Sequence, residues 1–381
     1  MAAISPVALG LASCGNAPTG DNPAKPSVSA DFTVTEVARF DEPWAMAFLP
    51  GTPFALITER KGKLRLWQEG GEVREVDGVP DVAYGGQGGL GDVMPAPDYA
   101  TSGTVYLTWA EAGEGNTRGA ALGRAKLVLE GAPRLEGLQV IWRQQPKVSG
   151  EGHYSHRIAF SPDGRYLFLS SGERQKMSPA QALDTNLGKV LRLLPDGSPA
   201  PGNPFAGKGG VATEIWSYGH RNLLGLQFDS AGRLWDLEHG PKGGDELNLI
   251  QPGKNYGWPL VSDGDHYSGE AIPRHATRPD LAAPAISWNP VIAPGDFVFY
   301  GAHSKGDVFP AWRGQALIAA MLPAGLVRVA IDGDRGREIV RYPMDHRIRE
   351  IEEHEDGSIW LLEDGKETGA GRLLRLSPIK S

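Results

Sequence analysis

The chain has 381 residues, a net charge of −8 and 40% hydrophobic residues, with 51 glycines, 30 prolines and one cysteine. A single cysteine excludes a disulfide framework and any thiolate metal cluster, and an acidic balance without a basic stripe argues against nucleic acid. No apolar run is long enough to span a bilayer, and glycine plus proline at about a fifth of the chain points to many turns between short strands.

In chain order, Met1 to Ser13 is a stretch of small and apolar residues ending Leu11-Ala12-Ser13-Cys14, and a segment rich in Asn, Pro, Ser, Thr and Gly follows to Ala30. Leu-Ala-Ser-Cys resembles a bacterial lipobox, whose cysteine is lipidated and becomes the mature N-terminus. The only cysteine stands there, although no Lys or Arg precedes it. Residues 1–30 are therefore expected to be a signal- or lipobox-like segment and flexible linker. The rest, 31–381, is expected to be one exported domain, periplasmic or extracellular, reaching a membrane only through a lipid on Cys14. An ordinary N-terminal tail is the alternative.

From Phe32 onward one unit recurs: an apolar pair, a Pro/Asp/Gly turn, then an alternating aromatic and aliphatic run. One copy reads Arg157-Ile-Ala-Phe-Ser-Pro-Asp-Gly-Arg-Tyr-Leu-Phe-Leu-Ser-Ser-Gly172; others start at Leu226 and Ile351, and weaker ones at Ala45, Asp92 and Phe297. Six copies imply a unit of roughly 55 to 65 residues, the scale of propeller blades with insertions. A hairpin with flanking strands cannot bury both faces alone, so radial stacking predicts an all-β, six-bladed β-propeller. Helical periodicity is nearly absent; Pro179 to Asn186 is the best candidate.

The repeat also supplies a register. His153 lies ten residues before the turn residue Asp163, Arg221 ten before Ala231, Gln87 eleven before Asp98 and Arg347 nine before Asp356. Loops leading into the inner strands of a propeller converge around its axis, so these positions predict one constellation: a potential base, two cations and an amide. Arg347 and Arg349 are two apart and share a face on an extended segment. That pair suits a polyanion, since arginine matches carboxylates or phosphates with two bonds, but pairing with Glu350, Glu352 or Glu353 fits the spacing as well. Glu238-His-Gly-Pro-Lys-Gly-Gly-Asp-Glu246 combines carboxylates with loop carbonyls, hard oxygen ligands of the kind calcium takes; an acidic turn without an ion is the plainer alternative.

Several of these segments carry a family resemblance. Gly85-Gly-Gln-Gly-Gly-Leu90, Gly152-His-Tyr-Ser-His-Arg-Ile158, Leu187-Gly-Lys-Val-Leu-Arg192, Glu214-Ile-Trp-Ser-Tyr-Gly-His-Arg-Asn222, Glu238 to Asn248, Gly253-Lys-Asn-Tyr-Gly-Trp-Pro259 and Arg347-Ile-Arg349 resemble, in order, the soluble glucose and aldose sugar dehydrogenases that use pyrroloquinoline quinone (PQQ). The resemblance implies oxidation of an aldose at its anomeric carbon to a lactone, with hydride passing to PQQ and electrons to an external acceptor. It implies His153 as general base and Arg221 as the cation beside the quinone oxygen. Gln87, Arg221, Asn222, Arg347 and Arg349 would contact cofactor or substrate. The carbonyls of Gly240 and Pro241 would hold the calcium that anchors PQQ, and Glu246 with Tyr256 would hold a second calcium. A monomer is expected.

The sequence departs from that pattern in two places. Leu322 stands where many relatives have a lysine, and Gly152 precedes His153 where the glucose enzyme has an acidic residue. His156 is a rival for the base. Two other functions stay in view: a non-catalytic binding propeller, and a calcium-dependent lactonase, which would need an acidic metal cage on the axis.

Overall fold

The computed structural model describes residues 31–365 and 370–379; the lipobox-like segment with Cys14 lies outside the described residues. Six antiparallel sheets stand in a ring, and each expected repeat copy forms the first two strands of one of them. The first blade is Pro43–Phe48, Phe54–Glu59, Lys63–Gln68 and Arg74–Val76. The second runs Leu90–Pro95, Thr104–Ala112 and Thr117–Val128, with Arg134–Arg143 and Val148–Ser149 both paired to the last of these. The third is Ser155–Phe160, Leu167–Ser171, Lys189–Leu193 and Ile215–Tyr218, and the fourth Asn222–Phe228, Leu234–His239, Asp245–Leu249 and Ile286–Trp288. The fifth is Pro294–Phe299, Ala316–Met321, Ala324–Asp332 and Arg335–Pro343. The sixth joins Ile348–Glu353, Ile359–Glu363 and Gly371–Pro378 to Phe32–Phe40 as its outer strand, so the two ends of the chain close the ring. The architecture is a six-bladed β-propeller.

Apolar cores lie between blades, as a face-to-face stack of twisted sheets requires. Trp235, Leu237 and Leu247 of the fourth blade, for example, pack on Phe297, Phe299, Ile318 and Val327 of the fifth. The expected helix over 179–186 is instead a single 3-10 turn, Ser178–Gln181. Its continuation is pulled into cross-loop bonds: Asn186 donates its N–H to the Gln145 carbonyl and accepts the Gln145 N–H on its side chain.

In all six blades the register between the first and second strands shifts close to the start of the first. The residues passed over are Trp44, Gly91 and Asp92, His156 and Arg157, Leu224, Gly295, and Arg349. A bulge re-aims its side chain, and six together turn a ring of residues toward the axis. Two of the six contain glycine because there is no room for more. A Cβ on Gly91 would lie 1.8 Å from the His156 ring, and one on Gly295 would lie 2.3 Å from the Arg349 carbonyl.

Arg157 shows what this ring achieves. Its buried guanidinium donates to the carbonyls of Leu224 (2.7 Å) and Gly295 (3.2 Å) and to Glu350 (2.6 Å), pairs with Asp92 (3.4 Å), and lies 4.1 Å from the Trp44 ring centroid. One side chain thus reaches the other five blades. Burial pushes Asp296, beside the same guanidinium, up to about 7 against the pull of that charge.

Candidate active site

Immediately above that hub a cavity holds about 580 Å³ of empty space, its open mouth included. The bulged residues Trp44, His156, Leu224 and Arg349 line it. Gln87, Asn222 and Arg347 line it as well, so four of the residues expected around the axis do converge. In an antiparallel meander the start of the first strand and the end of the second lie at the same rim, and both supply this site.

His153 is not itself among the residues lining the cavity; it is buried beside the lining residues Gln87 and Tyr154, with its Nδ1 hydrogen-bonded to the Glu173 carboxylate and its backbone N–H donated to Gln87 Oε1 (2.7 Å). A carboxylate on Nδ1 fixes the tautomer that leaves the Nε2 lone pair free. Burial lowers the imidazole pKa, with Arg221 and Arg174 adding to that and Glu173 opposing it, so the ring is neutral at pH 7. Glu173 stays ionised: burial raises it, but the His153 bond and the Met177 N–H (2.5 Å) lower it further. His156, the rival, has no carboxylate. Its Nδ1 is tied to the Thr108 hydroxyl (2.9 Å), its ring stacks on Trp44 (5.1 Å), and burial lowers it to about 3. It is placed as a wall rather than as an oriented base.

The opposite wall is cationic. Arg347 donates Nε to Asp364 (2.5 Å), and Arg349 reaches the same carboxylate oxygen at 3.7 Å. The alternative pairing with Glu350 is not what forms, because Glu350 points the other way, to Arg157. Arg349 Nε is buried with no hydrogen-bond partner among the described residues, and burial lowers its pKa to about 10, with Arg347, Arg60 and Arg157 adding repulsion and Asp364 opposing them. Arg60 lines the same cavity while donating to the carbonyls of Gly86 (2.6 Å) and Gly88 (3.3 Å), which shapes the loop that presents Gln87.

Arg221 lies between this cavity and the loop at 238–246. Its N–H goes to Glu238 (2.7 Å), its Nη1 to the His239 carbonyl (3.1 Å), and its Nε is buried without a partner. His239 lines three adjoining cavities. One is the site above; a second, of about 240 Å³, is also lined by Arg221, Glu246 and Tyr256; a third, of about 970 Å³, is also lined by Gly240, Pro241 and Leu322. Asp245 pins the loop by accepting the N–H groups of Gly240 (2.9 Å), Ile292 (2.8 Å) and Ala293 (2.7 Å). Among the described residues the Gly240 and Pro241 carbonyls accept no hydrogen bond. Glu246 is paired with His275 (3.0 Å), and the Tyr256 hydroxyl is turned to the Leu249 carbonyl (2.6 Å). Leu322 is 58% exposed at the rim of the third cavity.

Glu173, Asp364, Arg60 and Trp44 escaped the sequence reading. The first three follow the ends of the second strands Leu167–Ser171, Ile359–Glu363 and Phe54–Glu59. They lie about as far downstream of each turn, at the strand end of the same rim, as Gln87, His153, Arg221 and Arg347 lie upstream of it. Trp44 is aimed by a bulge, which alternation alone does not reveal.

The fold and the sequence have known counterparts. The chain is similar to the aldose sugar dehydrogenase YliI of Escherichia coli (strain K12), 38% identical over 348 residues, or 89% of this chain and 91% of that one. Its fold matches the crystal structure of the soluble aldose sugar dehydrogenase from Escherichia coli in the apo-form with a TM-score of 0.84, at 37% identity over 91% of this chain and 100% of that one. It matches the PQQ-bound form of aldose sugar dehydrogenase from Streptomyces coelicolor with a TM-score of 0.74, at 28% identity over 93% of this chain and 100% of that one. With residues 40–375 matching the family as well, the chain belongs to the glucose/sorbosone dehydrogenase family of enzymes.

Proposed function

We propose that the protein is a PQQ- and calcium-dependent aldose dehydrogenase that oxidises an aldose at its anomeric carbon to the lactone and passes the electrons to an external acceptor. The observation that carries this is a cavity lined by Arg349, whose Nε–H has no hydrogen-bond partner among the described residues, with a carboxylate-oriented neutral imidazole, His153, beside the lining residues Gln87 and Tyr154. PQQ fits that cavity by its chemistry: its carboxylates would take the Nε–H of Arg349, partnerless among the described residues, and the exposed edge of Arg347, while Arg60, paired with Glu42 (3.1 Å), adds a further guanidinium to the lining and Leu322 lines the third cavity instead. The unbonded carbonyls of Gly240 and Pro241 are hard oxygen donors suited to calcium. Glu246 is a candidate for a second calcium if it exchanges His275 for the ion, Tyr256 contributing its backbone because its hydroxyl is engaged.

When bound, PQQ supplies the two-electron sink for the hydride leaving C1, and calcium supplies Lewis-acid polarisation of the quinone. His153 Nε2 takes the proton of the anomeric hydroxyl as the C1–O bond becomes the lactone carbonyl. Glu173 stabilises the imidazolium that forms and keeps the ring from rotating. Arg221, whose Nε lacks a partner, is held by Glu238 and the His239 carbonyl where it can stabilise developing negative charge. Gln87 fixes the His153 backbone, and Asn222, whose Oδ1 accepts the Ser155 hydroxyl (3.3 Å), presents an amide to cofactor or substrate.

A lactonase would need a carboxylate cage at this cavity, where the described residues place guanidiniums; a binding-only propeller would need no base–carboxylate pair. The proposed site of action is outside the cytoplasm, from the lipobox-like Leu11 to Cys14. Reconstitution with calcium and PQQ tests the reading. Aldose-dependent bleaching of a redox dye that requires both additions supports it, and absence of sugar-dependent reduction with every aldose overturns it.

A further inference from the structure

We infer that Arg174 is a positioning residue for the reaction: it holds the loop bearing His153 in the conformation that presents the imidazole to the cavity and places a fixed positive charge behind it. This rests on His153 being the base. Arg174 is 0% exposed. Its Nε donates to the Gly152 carbonyl (2.8 Å), Nη2 to that of Gly150 (2.6 Å) and Nη1 to that of Arg118 (2.7 Å). Its plane lies over the Tyr154 ring, 3.7 Å from the centroid, and its backbone N–H reaches the His153 carbonyl (3.3 Å). One side chain therefore grips the chain immediately before His153 and stacks on the residue immediately after it.

The segment that continues from these anchor points is conformationally strained. His153, Ser155 and His156 have φ of 49°, 60° and 59°, and across from them Arg174, Gln175 and Met177 have 61°, 57° and 62°. Non-glycine residues in this region persist only where their surroundings over-determine them. A flat fork with donors in fixed directions does that; a lysine cannot. The charge is a second clue. Among the described residues no carboxylate lies within ion-pair distance of Arg174, Glu173 acting on it only at longer range, although a buried unpaired cation costs stability. The charged groups facing His153 are Glu173, Arg174 and Arg221, with His239 beyond them. Burial opposes the imidazolium most, Glu173 favours it, and Arg221 and then Arg174 add to the opposition, so the ring stays neutral and able to accept a proton.

The test compares Arg174→Ala and Arg174→Lys with the parent enzyme, each reconstituted with PQQ and calcium. Arg174→Ala should lose about 100-fold in kcat, the scale set by a misplacement of about 1 Å. The KM for glucose and the PQQ affinity should stay within about threefold, because Arg347 and Arg349 stand on another blade. The acid limb of its pH profile should move to higher pH, and added guanidinium chloride should restore turnover. Arg174→Lys, which keeps charge without the fork, should lose kcat with the acid limb unmoved, and it decides the matter if the alanine variant does not fold. Parental kcat in either variant overturns the inference. So does a loss of kcat matched by equal losses of PQQ affinity and thermal stability without guanidinium rescue. A parent enzyme that reduces no dye with any aldose would instead sink the assignment of the base.

Discussion

The two walls of the cavity solve opposite problems. On the side built by the second and third blades, His153 is bonded to Glu173 and Gln87, Arg174 spends its fork on the carbonyls of Gly152, Gly150 and Arg118, and the strained backbone is held from several sides. On the sixth-blade wall, Arg347 and Arg349 share Asp364, and a buried Nε–H is left over. A saturated network fixes geometry, which proton transfer requires. An unsaturated cationic wall stores binding capacity for an anion, because the missing partner of a buried donor is worth more than a further one in water.

The difference can be broken from either side. His153→Ala should cost roughly a thousandfold in kcat while PQQ affinity, read by titrating the apoenzyme, stays within about threefold. Arg349→Ala should do the reverse: PQQ binding weakened about 10- to 100-fold, as expected for a hydrogen bond to a charged group, with kcat largely recovered at saturating cofactor. If both variants lose kcat and affinity together, the walls are not separable and the comparison fails.

Smaller changes sharpen it. Burial and the nearby arginines hold the His153 pKa below the ordinary value of 6.5, so the deprotonated base persists below that pH and the acid limb of kcat/KM should lie under 6.5. Glu173 raises that pKa, so Glu173→Gln should move the limb lower still and reduce kcat about 10- to 100-fold, the range for loss of such a supporting carboxylate. A limb that moves upward would mean Glu173 is not the partner that matters in solution. Gly91→Ala tests the bulge ring: its Cβ would meet the His156 ring at 1.8 Å, so stability should fall by about 1–3 kcal/mol. A denaturant titration would read that loss directly.

Legibility followed the kind of information each feature needs. The blades were readable because each repeat copy places its turn between two runs of alternating residues, and the gathering of Gln87 and Arg347 at one cavity was readable because they precede those turns at nearly constant distance; His153 and Arg221, at the same register, stand outside its lining. The expected helix at 179–186 failed because bonds to Gln145, far off in sequence, outcompete local ones. Closure of the ring by pairing Phe32–Phe40 with Gly371–Pro378 was equally invisible, since nothing local in either strand names its partner.

By itself, the sequence determined the number of blades, the rim on which the candidate residues Gln87 and Arg347 meet and the family to which the motifs belong. These follow from periodicity and short motifs, which are local. Only the tertiary structure decided which histidine has a carboxylate behind it, which carboxylate the paired arginines share, and that Trp44, His156, Leu224 and Arg349 face the cavity. The physical reason is the bulge: one extra residue reverses the face on which a side chain emerges, and it is held in place by neighbours from other blades, among them the ring and carbonyl that fill the space beside Gly91 and Gly295.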